Sequence, residues 1–184
     1  MIRWFFSRQL NAFERTWNYD AGYAREVLEV DPMALIAFMM VSGVLGNRKG
    51  APPAARFAVS LVAVMAEDCG PCSQLGVDMA IAAGIDPKVI CAVAQRDYAA
   101  MPEDMVLAVR FAEASLAHSP AADEPREEIV RRWGRKGLVS LAMAMTAARM
   151  YPTAKYALGH GQACMRLTFA GETATVSPKL RAAA

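Results

Sequence analysis

The chain reads as an all-α, single-domain helical bundle preceded by an N-terminal helical arm. Three observations carry that reading. Apolar residues recur at spacings of three and four along most of the chain. The helix-start pair Asp-Pro occurs at Asp31-Pro32 and again at Asp86-Pro87. No period-two alternation of useful length interrupts the helical pattern. A length of 184 residues suits one domain with a sizeable core.

The elements follow in order. Ile2, Phe6, Leu10, Phe13 and Trp17 mark one face of a first helix. Arg3, Arg8 and Arg15 lie off that stripe. The basic face is thin, so the helix is expected to dock on the core or on another subunit rather than on a membrane surface. Asp20 caps a second helix running to about Val30. Asp31-Pro32 opens an apolar helix from Met33 towards Leu45. Residues 46–53 form a loop by composition, which separates the arm (1–50) from the main body (51–170).

In the main body, Ala54 to Ala66 is apolar on nearly every side and is expected to be a buried helix. Pro71 starts the next helix, which Gly84 ends. Asp86-Pro87 begins another, with Val89, Ile90 and Val93 inside it. Pro102-Glu103-Asp104 begins the helix of Met105, Val109, Ala112 and Leu116. From Asp123 to Trp133, the pairs Glu127/Arg131 and Glu128/Arg132 describe a solvated face. Leu138 to Tyr151 is small and apolar, a central helix that Pro152 is expected to kink or end. Residues 171–184 lack periodicity and read as a mobile tail.

Composition narrows the function classes. Hydrophobic residues make up 55% of the chain, Met occurs 12 times, and the net charge is only +2. So small a charge implies no nucleic-acid partner. The apolar excess points to buried helices and to a subunit interface. The longest apolar segment, Met33 to Leu45, is stopped by Asn47, Arg48 and Lys49, so no membrane span is expected. Arg8 interrupts what would be a signal-peptide core. Cys69, Cys72, Cys91 and Cys164 are too few for a secreted disulfide scaffold. Cytoplasmic residence is the expectation.

The chemistry concentrates at Glu67-Asp68-Cys69-Gly70-Pro71-Cys72. Two cysteines two residues apart at a helix start make a candidate redox dithiol. The helix N-terminus carries partial positive charge and favours a thiolate, while a neighbouring thiol can close a disulfide. Pro71 suits the first helical turn, so Cys72 is the cysteine expected to have the lower pKa, with Cys69 just outside the helix. A zinc site needs four ligands. Only Cys91, Cys164, His118 and His160 are left to complete one, so neither metal nor cofactor is expected. Cys91 and Cys164 read as buried free cysteines.

Two families bear on the pair. Leu61 to Cys72, "LVAVMAEDCGPC", resembles a thioredoxin strand and its Cys-Gly-Pro-Cys, but helix after helix follows where that fold needs strands and a cis-proline. Residues 55–97 resemble the core of the AhpD-like, or carboxymuconolactone decarboxylase, family. An apolar helix leads into the Cys-x-x-Cys, then a helix ending in Ala80-Ile81-Ala82-Ala83-Gly84-Ile85-Asp86, then a short capped helix.

That resemblance implies an all-α homo-oligomer (trimer, hexamer or dimer) acting on a hydroperoxide or disulfide substrate. Cys72 attacks the peroxide and becomes a sulfenic acid, Cys69 resolves it as a disulfide, and a dithiol reductant restores both. The family's histidine one turn after the second cysteine is replaced here by Gly76. Where its relay glutamate stands, this chain has Arg56 and Phe57. Glu67, Asp68 and His160 are the candidates for the missing acid–base role. The alternative is a redox-sensing or partner-binding helical protein that keeps the dithiol without peroxidase activity. A lactone decarboxylase does not depend on a cysteine pair, and the intact pair argues against it.

Overall fold

The computed structural model describes residues 1–46, 49–163 and 166–175. It is all-α apart from one short hairpin. Eight helices are α1 Ile2–Trp17, α2 Gly22–Val30, α3 Pro32–Gly46, α4 Pro53–Ala66, α5 Gly70–Ala82, α6 Pro87–Gln95, α7 Glu103–Leu116 and α8 Asp123–Ala157. Single 3-10 turns precede α7 and α8. Strands β1 Arg166–Phe169 and β2 Glu172–Thr175 pair antiparallel.

Side chains set several of these boundaries. The Asp20 carboxylate accepts from the Gly22 amide at 2.8 Å, at the start of α2. The Asp31 carboxylate accepts from the amides of Met33 and Ala34, each at 3.0 Å, and the Asp86 carboxylate from Lys88 at 2.8 Å. Each satisfies orphan donors of a first turn. Gly84, at φ 85°, lies just beyond the end of α5, a backbone state that glycine adopts freely.

Helix α4 is the centre. Ala58, Val59, Val62 and Ala63 are fully buried, and the helix packs against α5, α6, α7 and α8. Around it lies the main apolar cluster, including Val77, Ile90, Met105, Val109, Ile129 and Leu141. A second cluster is built by the N-terminal helices from Leu10, Tyr19, Tyr23, Leu28 and Leu35, with Leu75 and Tyr151 packed against it. The arm thus rests on α5 and α8. The stripe on α1 is buried unevenly: Leu10 is covered, Phe6, Phe13 and Trp17 are half-buried, and Ile2 is exposed.

Several details refine the sequence reading or depart from it. Helix α3 buries only Leu35 and Ser42, leaving Met33, Met40 and Val44 exposed. Pro152 does not end α8, which runs on to Ala157 with Pro152 itself buried. The Thr153 hydroxyl bonds the Arg149 carbonyl at 2.8 Å, and burial of this face outweighs the lost amide bond. A break does fall at Gly134, whose φ of 68° and ψ of 177° divide α8 into segments 123–133 and 135–157, between the stretches 123–133 and 138–151 that the sequence reading separates. Residues 172–175, read as tail, form β2. Buried Leu167 and Phe169 alternate with exposed neighbours on β1, but four-residue strands are too short for a period to register. The remaining residues of that tail, 176–184, lie outside the described residues, as do Asn47, Arg48 and Cys164.

The charge run of α8 also differs in detail. Arg132 pairs with Glu128 and also with Glu103 and Asp104 of α7, so it ties two helices together.

Candidate dithiol site

The sharp turn between α4 and α5 delivers the cysteines. Asp68 takes a left-handed conformation at φ 59°, and Cys69 follows as the N-cap of α5. Pro71 occupies the second helical position, and Cys72 the third. The Ser73 amide and hydroxyl both donate to the Cys69 carbonyl at 2.9 Å. The Gly70 amide donates to the Gln162 carbonyl at 3.1 Å, so the segment after α8 crosses the site. Cys69 and Cys72 are joined as a disulfide with their Cα atoms 5.3 Å apart. Both are buried, Cys69 at 1% and Cys72 at 6% exposure.

Cys72 lines a cavity of about 340 Å³ between the N-terminal helices and α4, α5 and α8. Its walls are apolar for the most part, with Leu10, Phe13, Phe38, Phe57, Leu61 and Leu75 among them. Gly76 also faces this space. A methyl built there would meet Leu61 at 3.7 Å and Val64 at 3.9 Å, so the position replaced by glycine opens room rather than supplying a base. Polar groups enter at two points. Ser42 and Tyr151 share a hydroxyl–hydroxyl bond of 2.5 Å, and the Tyr19 hydroxyl lies 3.7 Å from the Cys72 sulfur.

Behind Tyr19 sits Lys155. Its Nζ donates to the Tyr19 hydroxyl at 3.3 Å and lies 4.7 Å from the Tyr19 ring and 5.5 Å from that of Tyr23. Lys155 is 3% exposed. Among the described residues it forms no ion pair, and burial pushes its pKa down while the charge of Asp20 opposes the shift. Burial likewise pushes Tyr19 up to about 12, a bond with Tyr23 opposing and the charge of Asp20 adding. Tyr23 is raised further, again by burial first.

Of the acid–base candidates named from sequence, Glu67 and His160 have their side chains bonded to other residues, and Asp68 is held through its backbone carbonyl. Glu67 accepts from Arg149 at 2.5 Å. The Asp68 carbonyl accepts from the Tyr156 hydroxyl at 2.7 Å. His160 bonds Glu26, midway along α2, at 2.7 Å. Arg56 donates to the Gly46 carbonyl at 3.4 Å, and Phe57 contributes to the cavity wall. Tyr19 and Lys155 were not identified from sequence. The available signal was a lone lysine inside the apolar stretch 150–158, readable as buried only if α8 continues past Pro152.

Cys91 is half-buried, and its thiol is shifted up by burial and by the nearby charge of Glu172. Among the described residues, no group of three or more His, Cys, Asp or Glu side chains converges as a metal site. None of their helices is long and apolar enough to cross a membrane.

Compared with family models, curated proteins and solved structures, the chain matches none.

Proposed function

We propose that the chain is a thiol-dependent peroxidase or disulfide reductase of the AhpD-like kind, working through Cys69 and Cys72. One observation carries the reading: the sulfur of Cys72, in the first turn of α5, lines an apolar cavity of about 340 Å³ with Cys69 bonded behind it. That volume is at the small end of the range for small-molecule sites. An uncharged organic hydroperoxide suits such walls better than a charged metabolite.

The electron balance closes. The Cys72 thiolate attacks the terminal oxygen of ROOH, the O–O bond breaks, and the leaving alkoxide takes a proton to become ROH. Cys69 then attacks the Cys72 sulfenic acid, expelling water and forming the disulfide. A dithiol reductant, protein or small molecule, exchanges with that disulfide and leaves oxidised. A reducing compartment such as the cytoplasm supplies the dithiol. Assembly as a homo-oligomer is supported by exposed apolar side chains on α1 and α3, among them Trp4, Phe5, Met33 and Met40.

The test is dithiol-linked turnover of an organic hydroperoxide by pre-reduced protein, with Cys72→Ser as control. Turnover that survives in Cys72→Ser overturns the proposal. Gly76 and the engaged Glu67 and His160 favour a second reading, in which the pair serves redox sensing or disulfide exchange. Reversible oxidation of the pair without any hydroperoxide turnover is its signature.

A further inference from the structure

A buried lysine with no acid partner costs stability unless something uses its charge. Lys155 sits in such a place, reached by α8 only because the helix continues past Pro152. Among the described residues its side-chain hydrogen bond goes to Tyr19, and that hydroxyl reaches the Cys72 sulfur. The groups facing this chain of contacts are Asp20 in the turn before α2, Tyr23 on α2, Tyr151 on α8 and Cys72 on α5. Asp20 is exposed and occupied in capping α2, so it leaves the lysine charge largely uncompensated.

We propose that Tyr19 and Lys155 are the proton relay of the dithiol, with Tyr19 the group that touches the reacting sulfur and Lys155 the residue that positions and recharges it. The inference rests on the redox reading of Cys69 and Cys72, and does not depend on peroxide being the oxidant.

In the reduced state the Cys72 proton passes through Tyr19 to Lys155. The result is a Cys72 thiolate and a Lys155 ammonium joined by the tyrosine hydroxyl. The paired charges stabilise each other where either alone is costly. When the thiolate attacks a hydroperoxide, the alkoxide takes the Tyr19 proton and Lys155 replaces it, ending as a neutral amine. Closing the disulfide releases water and leaves no negative charge beside Lys155. Reduction by a dithiol brings two protons and two electrons, one proton returns through Tyr19 to Lys155, and the cycle closes. Burial pushes the Lys155 pKa down, the direction that eases release of its proton to Tyr19. A phenol held up to about 12 stays protonated at neutral pH, as a shuttle requires.

The decisive experiment titrates the difference in thiolate ultraviolet absorbance between reduced and oxidised protein, for wild type, Tyr19→Phe and Lys155→Met. Tyr19→Phe removes one oxygen and keeps the ring. Lys155→Met keeps the chain length, and far-ultraviolet circular dichroism verifies the fold of each. Wild type is expected to form a thiolate below the ordinary thiol value of about 8.5. Each variant is expected to raise that midpoint by about one unit or more, roughly a tenfold loss of thiolate near neutrality. Unchanged midpoints in both folded variants overturn the relay. Absent hydroperoxide turnover in wild type, with the midpoint shifts intact, sinks the peroxidase reading and leaves the relay standing.

Discussion

The Lys155 Nζ lies 3.3 Å from the Tyr19 hydroxyl across 136 residues of chain, and the same hydroxyl lies 3.7 Å from the Cys72 sulfur. The contact joins the last turns of α8, the turn between α1 and α2 and the first turn of α5. Lys155 is therefore buried near the Cys69–Cys72 disulfide rather than solvated at a helix end.

Burying that lysine has a stability cost in the oxidised protein. Lys155→Met is expected to stabilise the disulfide form at neutral pH by about 1 kcal/mol or more. The pH dependence gives the sign. Burial lowers the folded-state pKa of Lys155 below its unfolded value. Between the two values the unfolded chain binds more protons, so wild-type stability rises with pH there, and below both the penalty is constant. Urea melts of the oxidised protein against pH check this: the advantage of Lys155→Met shrinks as pH approaches the ordinary lysine value near about 10.4.

Tyr19 acts in the opposite sense. Its folded pKa is raised from 10.0 to about 12, so the unfolded chain loses the phenol proton first. The stability this group contributes is intact below pH 10 and is lost as pH climbs towards 12. Tyr98, also raised to about 12 by burial and by its bond to Glu113, adds to the same loss. Tyr19→Phe and Tyr98→Phe are each expected to flatten the alkaline limb of a stability–pH curve.

The two cysteines are expected to fail differently. Treating pre-reduced Cys69→Ser with one equivalent of hydroperoxide leaves Cys72 one oxygen heavier by mass, a sulfenic acid with no resolving thiol. Cys72→Ser shows no such adduct on Cys69. Faster alkylation of Cys69 than of Cys72 at neutral pH contradicts this assignment.

Gly76 stands in a helix interior, where glycine costs about 0.5–1 kcal/mol relative to alanine. A methyl there makes only ordinary contacts with Leu61 and Val64. Gly76→Ala is expected to raise the melting temperature while narrowing the cavity, which raises KM for bulky hydroperoxides before small ones.

Gly50 offers the contrasting case. A Cβ at this position falls 2.4 Å from the Lys136 carbonyl oxygen and 2.8 Å from its carbon, both backbone. Gly50→Ala is expected to destabilise by about 2–3 kcal/mol in thermal or urea unfolding.

Local chemistry made much of the fold legible. The all-α class, the caps at Asp20, Asp31 and Asp86, the buried character of α4 and the helix start at Cys69–Cys72 rest on residues a few positions apart. Single residues misled where they compete with packing. Pro152 carries a strong local stop signal, but its buried face and the Thr153 bond to Arg149 carry α8 onward. The break comes at Gly134, in the gap the sequence left between the stretches 123–133 and 138–151. The hairpin at 166–175 was too short to show its period.

Sequence by itself determined where the helices begin and where the dithiol sits, because caps, apolar periodicity and a Cys-x-x-Cys at a helix start act within one or two turns. Tertiary structure alone decided what faces Cys72. Glu67 and His160 lie close to the site in sequence or motif, yet their side chains bond Arg149 and Glu26, while Asp68 meets Tyr156 through its backbone carbonyl. Tyr19 meets the sulfur and Lys155 meets Tyr19 because the N-terminal arm folds over α5 and α8, and burial of its apolar face sets that docking. No local pattern encodes a contact across 136 residues; the packing of three helices creates it.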